Sequence, residues 1–417
     1  MNIPHDTLDL NKFISSISLA LDLAESCVFR DCRLNAENVR AFSQLDVKNH
    51  NFASHSKKTA LISLYLSNSL GYQGEKLNNL YIAAFLHDIG AVDALSVCHT
   101  DLNFIYEHCE FGSNIIKKLP IDNDISSFIR FHHESYDGSG PSGLCANEIP
   151  LEAQIIHIAD FFEIIYNRDI GPIQRELILN WFRSQKAKMF DPYLVDILFD
   201  ITEKERFWLD LENMDRDYGV LERISPKMHT PMNLTQLANI SSVFAAIIDK
   251  KSTFTHEHSF RLSRKTGKVA ASFELDQQNI DKIKIAGLLH DIGKLAVPNA
   301  ILDKPGKLTK DEYSIIKSHA YYTKLVLDKI DGIQDICDWA SNHHETLRGT
   351  GYPEAFDAGR LSIESRILAV CDIYQALTED RPYRAGMPKD KSFGILDNMV
   401  SIGNIDGQVV RILKDIV

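Results

Sequence analysis

The feature that most constrains this chain is a His-Asp pair that occurs twice in matching surroundings. AAFLHDIGA carries His87 and Asp88, and AGLLHDIGK carries His290 and Asp291, 203 positions later. His55 and His258 keep the same offset of 203. His108 and His319 are 211 apart, as are the doublets His132-His133 and His343-His344, and Asp160 and Asp372 are 212 apart. The matches run in one order, and a single insertion of about eight residues around ILDKPGKLTKDE explains the drift. This is the signature of an internal duplication of a unit of roughly 200 residues. A chain of 417 residues holds two such copies, each long enough to bury its own core.

The periodicity is helical. Leu237, Ile240, Phe244 and Ile247 recur at helix spacing, and Leu262, Val269 and Phe273 predict a helix carrying His258. Thr309-Lys310-Asp311-Glu312, after Pro305-Gly306, reads as a capping box that opens another helix. The apolar segments around HDIG, around Ile315-Ile316 and at ESRILAVCDIYQAL also suit helices, and clean strand alternation is scarce. The expected fold is all-α: two tandem helical bundles, with a further helix near residues 9–29. The expected divisions are 1–205 for the first copy, 206–235 for a connector with two prolines and mixed charge, and 236–417 for the second copy.

Composition excludes several classes. The formal net charge of −12 argues against a general binder of DNA or RNA polymers, which needs a large basic surface. No apolar run approaches the ~18 residues that read as a membrane span. The N-terminus is acidic and lacks the layout of a signal peptide, so a cytoplasmic protein is expected. Seven cysteines, an odd number with no Cys-x-x-Cys pair, fit reduced thiols better than a disulfide framework or a zinc knuckle.

Imidazole and carboxylate are the usual ligands of transition metals. An ionised Asp291 in so apolar a segment needs a compensating cation. Adjacent helix residues point about 100° apart, so His290 and Asp291 suit two neighbouring ions, as do His343 and His344. The second half offers His258, His290, Asp291, His319, His343, His344 and Asp372 as ligands. That is too many for one tetrahedral ion and suits two ions sharing a carboxylate, an arrangement fitted to displacement at phosphorus.

These residues resemble the HD-GYP branch of the HD phosphohydrolase superfamily. The match runs from residue 258 to residue 384: His258-Ser-Phe-Arg261, HDIGK (290–294), ILDKPGKLT (301–309), His319, HHETLRGTGYP (343–353) and CDIYQALTEDRPYR (371–384). The resemblance implies an all-helical fold, a metal centre with Asp291 as bridging ligand, and hydrolysis of cyclic di-GMP or 3′,3′-cyclic GMP-AMP to a linear 5′-phosphorylated dinucleotide. It implies two divalent ions, Fe or Mn foremost, with Ni and Zn as alternatives. Members with three ions carry a Glu four residues before the first ligand His, and Phe254 stands there. Asp291 and Lys294 are the expected catalytic residues. Lys294, Arg348, Tyr352, Arg381 and Arg384 are the expected substrate contacts, with the two last arginines clamping phosphate. Gly349, Gly351, Tyr352 and Pro353 form a tight loop beside the His doublet. Glu345 is expected to orient a ligand imidazole.

The first half resembles a diverged copy. It keeps His55, His87, Asp88, His108, His132, His133 and Asp160, so a second metal site is expected there. Its substrate features are gone. Ala91 replaces Lys294, DGSGP (137–141) replaces GTGYP, the ILDKPGKLT loop is missing, and NRDIGP (167–172) replaces the RPYR stretch, leaving Arg168. A regulatory or structural role is favoured for this half, with a second phosphohydrolase activity as the rival. Two other readings of the chain stay open. One is a nucleotidase or phosphomonoesterase, marked by release of inorganic phosphate. The other is a non-catalytic module that binds cyclic dinucleotide, against which the complete ligand set counts. A homodimer is one assembly open to it.

Overall fold

The computed structural model describes residues 8–28, 54–91, 102–214, 219–227, 229–251, 257–380 and 385–417. Phe254, Arg381 and Arg384 lie outside the described residues. The described chain is almost wholly helical, and its one sheet is an antiparallel pair of two-residue strands, Leu8–Asp9 with Pro231–Met232. Among the described residues no helix is long and apolar enough to cross a membrane.

The chain divides into two compact units. One holds Ile17–His229, and the other holds Thr230–Val417 together with the N-terminal stretch up to Ser16. The helix expected near residues 9–29 runs Leu10–Val28 and so contributes to both. The stretch expected as a connector, 206–235, contains the helices Glu205–Asn213 and Gly219–Ile224. Phe207, Trp208 and Leu211 fall on one face of the first of these and are buried in the Ile17–His229 unit, where Trp208 Nε1 donates to the Thr202 carbonyl at 2.8 Å. The apolar stripe there is only one turn long, too short to stand out as a period.

Each unit builds the same frame. In the second, the helices Leu234–Lys251, His258–Ser272 and Gln277–Leu289 pack together, followed by Lys310–Leu327, Gln334–Ser341 and Ile363–Thr378. Leu237, Ile240, Phe244 and Ile247 bury one face of Leu234–Lys251. Thr309 caps Lys310–Leu327 with the reciprocal Glu312 box, its Oγ1 accepting from the Glu312 amide at 3.2 Å. The first unit repeats the order with Leu10–Val28, His55–Ser69, Gly74–Leu86, Leu102–Ile116, Asp124–Arg130 and Leu151–Ile165.

The helix that opens with the first histidine is anchored alike in both units. Ser54 and Glu257, immediately before His55 and His258, adopt left-handed backbone with φ of 66° and 62°. Non-glycine residues hold that conformation only where the surroundings impose it. Here a buried aspartate on the preceding helix supplies the constraint. Asp22 Oδ1 accepts the Ser56 amide at 3.0 Å, and Asp249 accepts both the amide and hydroxyl of Ser259 at 3.1 and 2.7 Å.

Candidate metal centres

HDIG is not interior to a helix, as its apolar setting suggested. His290 ends the helix Gln277–Leu289, and Ile292–Ala296 form a 3-10 turn. The same holds for His87 after Gly74–Leu86. The glycine of the motif explains the turn's position. A Cβ on Gly293 would stand 2.0 Å from the His319 carbonyl oxygen, and one on Gly90 would stand 2.0 Å from that of His108. Only glycine lets the motif lie against the helix bearing the next histidine, and this contact brings Asp291 within reach of both histidine sets.

In the second unit the seven expected ligands converge. His258, His290 and Asp372 form one group, and His319, His343 and His344 form another. Asp291 lies between them. Its Oδ2 is 3.0 Å from His290 Nε2, and its Oδ1 is 3.6 and 4.0 Å from His319 and His343 Nε2. His319 and His343 face each other through Nε2 at 3.3 Å, and His258 Nε2 is 3.3 Å from Asp372 Oδ1. Two donors at 2.0–2.1 Å from one tetrahedral ion stand about 3.3 Å apart. The 3.3 Å separations match those of two ligands on one tetrahedral ion.

The rings are held for that purpose. Nδ1 of His290, His319 and His343 each donates to the carbonyl three residues earlier, at 2.9, 2.5 and 2.6 Å. This fixes the tautomer and turns Nε2 inward. His290 Nε2 is buried without a hydrogen-bond partner. Burial pushes His319 down to about 3 and His344 to about 4, so both stay neutral and keep a lone pair. His258 differs: burial would lower it, but Asp372 and Glu379 hold it up at about 9. Burial would raise Asp291 and Asp372, but His290 and Lys294 hold the first down and the His258 contact holds down the second, so both stay ionised.

The first unit reproduces the constellation. His55, His87 and Asp160 form one group, and His108, Cys109, His132 and His133 form another. Asp88 bridges: Oδ2 is 3.5 and 3.2 Å from His55 and His87, and Oδ1 is 3.6 and 3.7 Å from His108 and His132. Both Asp88 oxygens are buried with no hydrogen-bond partner, as is His132 Nε2. His87 and His132 donate through Nδ1 to Ala84 and Ile129 carbonyls at 2.9 and 2.6 Å. A buried carboxylate faced by imidazoles at 3.2–3.7 Å needs positive charge beside it, from a metal ion or from protonated imidazole. Both donor sets fit divalent metal ions.

Other expected site residues are placed as follows. Lys294 Nζ reaches Asp291 Oδ2 at 2.5 Å from the partly exposed edge of the cluster. Tyr352 lies against His344, with ring centroids 4.8 Å apart, and its amide donates to the His344 carbonyl at 3.3 Å. Arg348 is exposed, pairs across a bridge with Asp357, and points Nη1 at the Ile402 carbonyl at 3.4 Å. Glu345 does not orient an imidazole. Its carboxylate accepts the amides of Glu354 and Phe356 at 2.7 and 3.1 Å and so pins the glycine-rich loop. Glu134 does the same in the first unit with Ser142 and Leu144, at 2.6 and 3.2 Å.

The sequence reading missed the carboxylates behind the first histidines. His55 Nδ1 meets Glu163 at 2.6 Å, and His258 Nδ1 meets Glu379 at 2.7 Å. The two are not equivalent. Glu163 follows Asp160 by three residues, where the second unit has Gln375, and Glu379 follows Asp372 by seven. Gln375 instead donates to the His258 carbonyl at 2.6 Å.

A helical frame presenting a His-Asp pair between two histidine groups defines a class of metal-dependent phosphohydrolases, and the chain belongs to it. It is a member of the HD domain family, whose profile matches residues 43–177 and 242–409. Among curated relatives, a 3′3′-cGAMP-specific phosphodiesterase of Vibrio cholerae (number 3) is 33% identical over 312 residues, covering 74% of this chain and 66% of its own length. Number 1 of that organism is 26% identical over 372 residues, covering 86% of each. A cyclic di-GMP phosphodiesterase of Pseudomonas aeruginosa is 40% identical over 134 residues, 32% of each chain. A crystal structure of a cyclic GMP-AMP specific phosphodiesterase of V. cholerae superposes with a TM-score of 0.67 at 23% identity, covering 98% of this chain and 97% of that one.

Proposed function

We propose that the second unit is a metal-dependent phosphodiesterase that opens a cyclic dinucleotide to its linear 5′-phosphorylated form, with 3′,3′-cyclic GMP-AMP preferred over cyclic di-GMP. The observation that carries the activity is Asp291 standing between two histidine groups with Lys294 at its carboxylate. The preference rests on the relatives alignable across both halves, which are named for the mixed dinucleotide, whereas the cyclic di-GMP enzyme of P. aeruginosa matches about a third of the chain.

Two divalent ions fit the donor set, Fe or Mn foremost and Ni or Zn next; when bound they acidify water and neutralise phosphate charge. The chain's own groups do the rest. Asp291, kept ionised, serves both histidine groups. The Lys294 ammonium, at the exposed edge, is placed to meet a phosphate oxygen or the leaving 3′ oxygen, stabilising charge as it develops. Tyr352 closes one wall over His344, within reach of a base. Arg381 and Arg384 are assigned to the phosphates through guanidinium forks. Arg348 keeps a place among the substrate contacts only if its side chain leaves the Ile402 carbonyl. The first unit, with Ala91 in place of the lysine, is assigned a regulatory or structural role as a metal-holding module. A cytoplasmic protein with no polymeric nucleic acid partner belongs to the same reading.

The test is turnover of the two cyclic dinucleotides, mixed in equal amounts, by metal-loaded protein, with products resolved by chromatography and mass. Linear 5′-phosphorylated dinucleotide is expected, from cyclic GMP-AMP first. No turnover with Fe, Mn, Ni or Zn, or release of inorganic phosphate from mononucleotides alone, would replace this reading with a nucleotidase or a binding module.

A further inference from the structure

Among the described residues, the first unit's histidine groups include a thiol, and the second unit's do not. Cys109 follows His108 in the helix Leu102–Ile116, whereas Ala320 follows His319. The cysteine is 2% exposed. Its Sγ lies 3.6 Å from His108 Nε2, and it also touches His132 at 3.7 Å through Nδ1, the nitrogen turned to the Ile129 carbonyl and not to Asp88. Ligand atoms of His108, Cys109, His132 and His133 all lie within 4.8 Å of one another. A sulfur at 2.3 Å and an imidazole nitrogen at 2.0–2.1 Å from one tetrahedral ion stand about 3.6 Å apart, so Cys109 and His108 already have the spacing of two ligands. A second observation points to an ion. Asp88 is 3% exposed and lacks hydrogen-bond partners on both oxygens, and its Oδ1 faces His108 and His132. Packing alone does not call for a thiol here, because the fully buried methyl of Ala320 fills the equivalent place in the second unit.

We propose that Cys109 is a thiolate ligand of the first unit's metal centre, which makes that centre a mixed sulfur, nitrogen and oxygen site for a thiophilic divalent ion, zinc foremost. Among the described residues, the second unit's groups offer nitrogen and oxygen donors only. Forming the metal–sulfur bond releases the thiol proton to solvent. A soft ligand shifts selectivity toward zinc and away from manganese, so one chain carries two centres of different metal preference. This inference concerns the first unit and is independent of the substrate assigned to the second.

Cobalt(II) loaded into chelator-treated full-length protein tests it without any turnover. Wild type, and the His290→Ala/Asp291→Ala variant, are expected to show a thiolate-to-cobalt charge-transfer band in the near ultraviolet. Cys109→Ala and Cys109→Ser are expected to lose the band while keeping the visible cobalt bands of the second centre. Both variants should also lose about tenfold or more in zinc retention against a chelator, at least what loss of an outer-shell partner costs. Alanine is what the second unit carries at this place, and an unchanged metal-free unfolding midpoint verifies the fold. X-ray absorption of zinc-loaded wild type, which needs no variant, should show a sulfur scatterer at about 2.3 Å. Nitrogen and oxygen scatterers alone, or a charge-transfer band unchanged by Cys109→Ala, would overturn the assignment.

Discussion

The two units hold matching sets of seven buried His and Asp side chains on the same frame, yet they differ at one edge of the cluster. In the second, Lys294 reaches the bridging aspartate from a partly exposed position, Asp372 retains 8% exposure and His344 is half-buried. In the first, the equivalent Ala91 is fully buried with Phe104 packed against it, and Asp160 is at 0%. Phe104 thus packs against an alanine methyl at the position where the second unit carries a lysine. The buried His-Asp cluster and the residues at its edge have thus changed independently in this duplication. A duplicated unit can keep its buried carboxylates and histidines while a few edge residues are exchanged.

The contrast can be broken most sharply at the lysine. Lys294→Ala should lower kcat for cyclic dinucleotide by roughly 10²-fold, the usual loss of one preorganised charge-stabilising donor, with metal content unchanged. Ala91→Lys should not confer hydrolysis on the first unit, since Phe104 occupies the space. Steady-state rates with metal analysis check both. Unchanged turnover in Lys294→Ala would remove the lysine from the mechanism.

A smaller effect should come from the carboxylates behind the first histidines. Glu379→Gln and Glu163→Gln should each weaken metal binding in their own unit by about 10- to 100-fold, with the other unit unaffected. Competitive chelation, read against the cobalt spectrum of each centre, separates the two. Loss of metal from both units in either variant would show that the centres are not independent.

The smallest effect is on protonation in the metal-free protein. In the first unit burial would lower His87 and His132, but Asp88 and Asp160 hold His87 up at about 9, while Cys109 and Asp88 hold His132 up at about 10. A histidine raised above its unfolded value stabilises the fold fully below about 6.5 and loses that contribution as pH rises through 9 to 10. In the second unit His258 is likewise held up at about 9, but His319 and His344, held down at about 3 and 4, act in the opposite sense. They cost stability as pH falls below about 6.5 toward 4. Imidazole proton NMR of chelator-treated protein should show His87 and His132 still charged at pH 8, and His319 and His344 still neutral at pH 6. Equal titration near 6.5 in both units would erase the difference.

Much of this site was legible in the sequence, because the repeat names the ligands by register. All fourteen expected ligands fall in the two clusters, and the Thr309 cap opens its helix as read. What was hidden has identifiable causes. Glu163 and Glu379 lie at different offsets from their aspartates, so the repeat did not flag them. Asp22 and Asp249 act across a gap in sequence on a backbone amide, which leaves no side-chain pattern. Glu345 was given a ligand-orienting role because it adjoins the doublet, but its side chain turns into the loop behind. Cys109 carried a usable signal in its alignment with Ala320.

The most direct test of the division between the units is one chromatographic assay on metal-loaded full-length protein, comparing wild type with His290→Ala/Asp291→Ala and His87→Ala/Asp88→Ala. Linear dinucleotide should disappear in the first variant, by at least about 10³-fold given the several kcal/mol that the metal centre supplies, and persist in the second. Persistence in the first variant, or loss confined to the second, would contradict the assignment of the chemistry to the second unit.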